Sequence, residues 1–139
     1  MRQLKIIISI VIGTVLLSAN CCTDKENCHD TIFVKNNSNK AIYFDRSYVY
    51  PDTILRDDGL IKDPYIFKID EFSEKRSVTR GCYEGIMQSS YPIIMFFIYD
   101  AQTLETTPWD TVAKNHLVLK RYDLSLGDLQ KMNWTITYP

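Results

Sequence analysis

The sequence predicts an all-β domain, a single β-sandwich with one short C-terminal helix, and three observations carry that expectation. Aromatic residues make up 12% of the 139 residues, nine of them tyrosine, and all follow Cys22; such side chains suit a pleated, half-buried surface. The apolar runs are short and separated by turn-forming Asn, Asp and Gly. The run Ile93-Ile94-Met95-Phe96-Phe97-Ile98-Tyr99 is apolar throughout, as in a strand buried on both faces, and is short for a helix. An immunoglobulin-like order is one form such a sandwich takes.

Thr31 to Lys35 and Lys40 to Phe44 read as two strands joined by Asn36-Asn37-Ser38-Asn39. Asn tolerates positive φ and bonds its own backbone, so the pair is expected to form a hairpin. Ile32 and Val34 share one face of the first strand, Ile42 and Phe44 one face of the second. Asp45 to Lys62 is less regular, with Tyr48, Tyr50 and Pro51 on an extended edge and a turn at Arg56-Asp57-Asp58-Gly59. That turn lacks the full acidic spacing of a calcium loop. Pro64 opens a strand over Tyr65 to Ile69. A charged loop follows at Glu71 to Lys75, then a polar strand from Arg76 to Arg80 leads to Cys82.

Tyr91 to Asp100 is expected to be the central strand, with Pro92 at its tolerated start. Thr106 to Asp110 reads as a loop carrying Trp109, and Lys114 to Tyr122 as a further strand that leaves His116 on the surface. Ser125 and Asp128 form a capping box, and Leu126, Leu129 and Met132 then share one helical face. Trp134 to Tyr138 closes the fold as a strand, with Trp134, Ile136 and Tyr138 on one side.

Ahead of this domain the chain carries a targeting pattern. Arg2 and Lys5 precede an apolar run from Ile6 to Leu17, then Ser18-Ala19-Asn20 and Cys21-Cys22. The run is about twelve residues, where a spanning helix needs about 20, so a cleaved secretory signal is the favoured reading. Leu16-Leu17-Ser18-Ala19-Asn20-Cys21 resembles a bacterial lipobox, in which the cysteine is acylated and becomes the new N-terminus. Asn20 and the leucine spacing depart from the usual pattern, and Cys22 is the alternative acceptor. The expected organisation is a lipoprotein-type signal over 1–20, a lipidated cysteine and tether over 21–30, and the sandwich over 31–139. Two acyl chains make attachment stable. Roughly 120 residues then remain, enough for one domain.

Losing Arg2 and Lys5 makes the formal net charge of −1 more negative. A chain of that balance is a poor match for nucleic acid. Of four cysteines, one of Cys21 and Cys22 takes lipid, while Cys28 and Cys82 lie in the folded part. An oxidising compartment favours a Cys28–Cys82 disulfide, with Cys22–Cys28 as the alternative. Closing about 55 residues stabilises by roughly 4 kcal/mol in the chain-entropy picture. No Cys-x-x-Cys spacing supports a metal, and no cofactor is expected.

Across the mature chain, Asn36-Asn37-Ser38 with Ile42-Tyr43, Tyr50-Pro51-Asp52-Thr53, Pro108-Trp109-Asp110-Thr111, Val118 to Leu124, Asp128-Leu129 and Asn133-Trp134 resemble the small lipoproteins of gut Bacteroidetes that lack an assigned activity. The resemblance implies an outer-membrane location, with Asp24-Lys25-Glu26 similar to a surface-export signal, and brings no catalytic residues. It also draws attention to Asp-Thr-apolar triplets, which such bacteria O-glycosylate. Thr53, Thr31 and Thr111 fit, Thr53 first because it lies in an expected loop.

No catalytic motif is present, and only His29 and His116 offer an imidazole. The expected function is therefore a binding or interaction module for a glycan or an envelope protein. An accessory subunit of an envelope complex is the alternative, and a small hydrolase stands behind both. Tyr48, Tyr50, Tyr83 and Tyr91 fall in expected loops and offer flat faces with a hydroxyl.

Overall fold

A computed structural model describes residues 27–52, 55 and 67–139. The expected signal and tether, Cys21, Cys22, Thr53, the Arg56–Gly59 turn and the start of the Tyr65 strand lie outside the described residues. Among the described residues the chain runs β1 (Thr31–Asn36), β2 (Ile42–Ser47), β3 (Lys68–Ile69), β4 (Glu74–Val78), α1 (Tyr83–Ser89), β5 (Ile93–Asp100), α2 (Ala101–Thr106), α3 (Trp109–Lys114), β6 (Lys120–Ser125), α4 (Leu126–Lys131) and β7 (Thr135–Tyr138). It is mostly β, with two sheets: β4-β1-β7 and β3-β2-β5-β6.

The expected central strand is there. β5 pairs antiparallel with β2 on one side (Phe44↔Ile98) and β6 on the other (Ile93↔Ser125). Its residues from Ile94 to Tyr99 are all buried, and they alternate between two cores. Ile94, Phe96 and Ile98 join Ile32, Val34 and Ile136 of the three-stranded sheet. Met95, Phe97 and Tyr99 join Tyr43, Leu55, Ala101 and Val112 on the opposite face. A period of two with apolar side chains on both faces makes the run continuous.

The expected β1–β2 hairpin is not formed. Both strands exist, but β1 pairs with β4 and, in parallel, with β7, while β2 pairs with β3 and β5. Ile32 and Val34 instead meet Ile42 and Phe44 within one core, across the sheets and not along an edge. The connection explains why. None of Asn36 to Asn39 takes a positive φ, which the favoured two-residue hairpin turns require. Asn36 is buried; its Nδ2 donates to the Lys40 carbonyl at 2.7 Å and the Asp70 carbonyl at 3.0 Å, and its Oδ1 accepts from the Ser38 N–H at 3.0 Å. One amide thus satisfies the backbone of a corner between layers.

Among the described residues there are four short helices where one was expected. The Ser125 box is formed, with Ser125 Oγ accepting from the Asp128 N–H and the Asp128 carboxylate accepting from the Ser125 N–H. α1 forms where a loop is expected, and Tyr83 and Met87, four residues apart, bury one face. α2 is capped by Asp100, which accepts from the Thr103 N–H at 2.8 Å. α3 contains Thr111 and Trp109, the latter expected in a loop; Val112 is its buried residue. The expected Lys114–Tyr122 strand is displaced to Lys120–Ser125: Lys114 ends α3, His116 turns with φ 50°, and Leu117 and Leu119 are exposed. The Leu117-Val118-Leu119 alternation imitated a strand without a sheet face to bury. Among the described residues no helix is long and apolar enough to cross a membrane.

Candidate functional site

The side chains with chemistry to offer gather where β2 runs past the end of the three-stranded sheet. Along β2, Ile42 and Phe44 face the shared core; Arg46, two residues on, continues that face. Its Nη1 reaches across to β4 and α1, donating to Ser77 Oγ at 3.1 Å, the Val78 carbonyl at 3.5 Å and the Tyr83 hydroxyl at 2.5 Å. Tyr83 is fully buried and its hydroxyl donates to the Ser77 carbonyl at 3.1 Å. The expectation of Tyr83 as a loop contact residue is therefore corrected: it is a core residue of α1 that holds the arginine in place.

Aromatic rings enclose the guanidinium. It lies 4.9 Å from the Tyr48 ring centroid and 5.9 Å from that of Tyr83, within cation–π range. Tyr48 meets Tyr91 with centroids 5.2 Å apart and 46° between planes, and Tyr91 is 41% exposed. Burial raises the Tyr48 hydroxyl above its ordinary value against the opposing Arg46 charge, so at neutral pH it is a protonated donor. Tyr48 and Tyr91 come together as a pair, Tyr83 stands behind them, and Tyr50 is exposed without joining the cluster.

A second arm leads from Tyr83 to the start of β1. Trp134 lies 6.0 Å from Tyr83 and stacks on His29 at 4.2 Å. His29 meets Glu84 through its Nδ1, 2.5 Å from Oε1, and its backbone N–H donates to Oε2 at 3.0 Å. Burial pushes the Glu84 carboxyl up, but these bonds outweigh it and hold the group below its ordinary range. The adjoining Cys28–Cys82 disulfide, with Cα atoms 4.9 Å apart, fastens the lead-in to β1 to the N-cap of α1. Neither cysteine lies in a strand, so the bond is not a staple between sheets.

His116 is exposed on the α3 turn. Thr31 is half-buried with its hydroxyl on Asp30, and Thr111 is exposed on α3. Among the described residues no group of His, Cys, Asp and Glu gathers as a metal site requires.

Comparison with family models, curated proteins and solved structures finds no match. The case for function rests on the residues themselves. Arg46 is the candidate residue that sequence reasoning missed, although a signal existed: a cation continues the apolar alternation Ile42-Phe44-Arg46.

Proposed function

We propose that this chain is a lipid-anchored bacterial envelope protein whose folded part is a binding module for a glycan or protein ligand. The observation that carries the reading is the Tyr48–Tyr91 pair, solvent-facing at Tyr91 and backed by Arg46. Two tyrosine rings offer apolar faces at low entropic cost, with hydroxyls at their rims. In this reading the two sheets are the layers of a sandwich; the core shared by Ile32, Val34 and Ile136 with Phe44, Ile94 and Phe96 supports it. The anchor is acylated Cys21, with Cys22 as the alternative, and the location is the outer membrane, as the lipobox-like run and the likeness to Bacteroidetes lipoproteins imply.

The reading is tested by capture. Full-length protein and its Tyr48→Ala and Tyr91→Ala variants are immobilised and offered envelope glycans and envelope proteins from the same cells. Retention by the wild type and loss in both variants is expected; equal retention by all three overturns the site. Mass spectrometry of the membrane fraction should find an acylated N-terminal cysteine, and an intact Met1 would remove the anchor.

An accessory subunit is the second reading, favoured by Leu117 and Leu119, which are exposed side by side beyond α3. Co-purification of an envelope protein that Leu119→Asp abolishes and Tyr91→Ala does not would favour it.

A further inference from the structure

We infer that the Arg46 site binds the carboxylate of an acidic sugar, the guanidinium taking the carboxylate and the Tyr48–Tyr91 pair taking the sugar ring; this rests on the binding-module reading above. All three side-chain hydrogen bonds of Arg46, to Ser77, Val78 and Tyr83, leave from Nη1. Among the described residues, Nε and Nη2 make no hydrogen bond and no ion pair. They are not sealed in the core either, because the one unbonded, fully buried polar side-chain atom among the described residues is the Tyr99 hydroxyl. Arg46, half-buried, thus keeps Nε and Nη2 unbonded among the described residues and not fully buried.

The same fold contains that edge in its occupied form. Arg121 gives Nε to Asp123 Oδ1 at 2.6 Å and Nη2 to Asp123 Oδ2 at 3.1 Å. It also lies over an aromatic ring, Phe97, at 5.6 Å. Arg46 has the corresponding ring, Tyr48, and the corresponding fork, but among the described residues no carboxylate fills it, as Asp123 fills that of Arg121. A planar fork fixed by three bonds on its other nitrogen is organised for two parallel bonds to a carboxylate.

What carries the carboxylate follows from the surroundings. Tyr48 lies over the guanidinium with its hydroxyl on Thr79 and Tyr83, while Tyr91, tilted against it and 41% exposed, offers an apolar ring face suited to the C–H face of a pyranose. A single guanidinium edge, on a chain of net charge −1, is matched to a monoanion and not to a polyanion such as nucleic acid. A uronic acid combines the features required: one carboxylate and one apolar face.

The test uses full-length protein in detergent and follows the Arg46 side-chain Nε–H resonance during titration. The probes are glucuronate, glucose, acetate and a tripeptide with a free C-terminus. Glucuronate should shift the resonance saturably and bind about tenfold or more tightly than glucose or acetate. Arg46→Lys should erase the preference for glucuronate over glucose. Tyr91→Ala, an exposed change that keeps the test alive should the arginine variant misfold, should weaken glucuronate while leaving acetate unchanged. Glucose binding as tightly as glucuronate would overturn the inference while leaving the binding module standing. Acetate or the tripeptide matching glucuronate would overturn the sugar. An Arg46 resonance unmoved by every probe would overturn the site.

Discussion

Trp134 lies flat on His29, with ring centroids 4.2 Å apart and 14° between their planes. The contact holds the lead-in to β1 against the lead-in to β7, and it is built on an unusual backbone. Asn133 and Trp134 both take positive φ, 48° and 57°, a region that bulky residues rarely adopt. The stack, the Glu84 bonds and the adjoining disulfide keep the turn in that form.

A pH dependence follows from Glu84. Its folded carboxyl sits below the ordinary value of 4.5 because the His29 bonds outweigh burial. A depressed carboxyl contributes stability that is present above the unfolded value and lost as pH falls through the folded one. The urea midpoint of the wild type should therefore fall from neutral pH to about pH 3.5, and that of Glu84→Gln should fall less. Parallel curves would assign the acid sensitivity elsewhere.

The disulfide is expected to be a major support. Cys28 and Cys82 are 54 residues apart, and removing such a bond typically costs about 2–5 kcal/mol in a small exported domain. Reducing agent should lower the melting temperature of the wild type but not of the Cys28→Ala, Cys82→Ala double variant. Equal sensitivity in both would place the stabilising bond at another cysteine.

Two tyrosine-to-phenylalanine changes should move stability in opposite directions. The Tyr99 hydroxyl is buried without a hydrogen bond, so Tyr99→Phe removes an unmet desolvation cost and should be neutral or stabilising by up to about 1 kcal/mol. The Tyr83 hydroxyl bonds Arg46 and the Ser77 carbonyl, so Tyr83→Phe should destabilise by about 1–3 kcal/mol. Denaturant unfolding measures both, and a destabilised Tyr99→Phe would show that its hydroxyl has a partner.

The capping box sets the start of α4. Ser125→Ala removes the side chain that accepts from the Asp128 N–H at 3.2 Å and should cost about 1 kcal/mol. No change in the unfolding midpoint would mean that packing of Leu129 alone holds the helix.

Local chemistry made some of this fold legible and left other parts hidden. The capping box, the doubly buried β5 and the Cys28–Cys82 pairing each follow from a few neighbouring residues or from cysteine parity. The hairpin failed because Asn36 has two uses. An Asn-rich link satisfies a tight turn or a corner between sheets, and only tertiary context, here the Lys40 and Asp70 carbonyls, selects between them. Short helices such as α1 and α3 bury one or two side chains apiece, too few for a periodic signal. For the candidate site, the tyrosines were visible by composition, but their convergence depends on Arg46 crossing from β2 to β4, a contact 31 residues apart in sequence.

β7 pairs parallel with β1, Phe33 against Thr135 and Val34 against Ile136. The inner strand of the three-stranded sheet therefore keeps one edge unpaired until a strand about 100 residues further along the chain joins it. Pairing over such a separation forms slowly, since the loop between the partners must be ordered first. Until β7 docks, that edge of β1 can pair with a second chain, so the order in which these two strands meet sets the aggregation hazard of the folding domain.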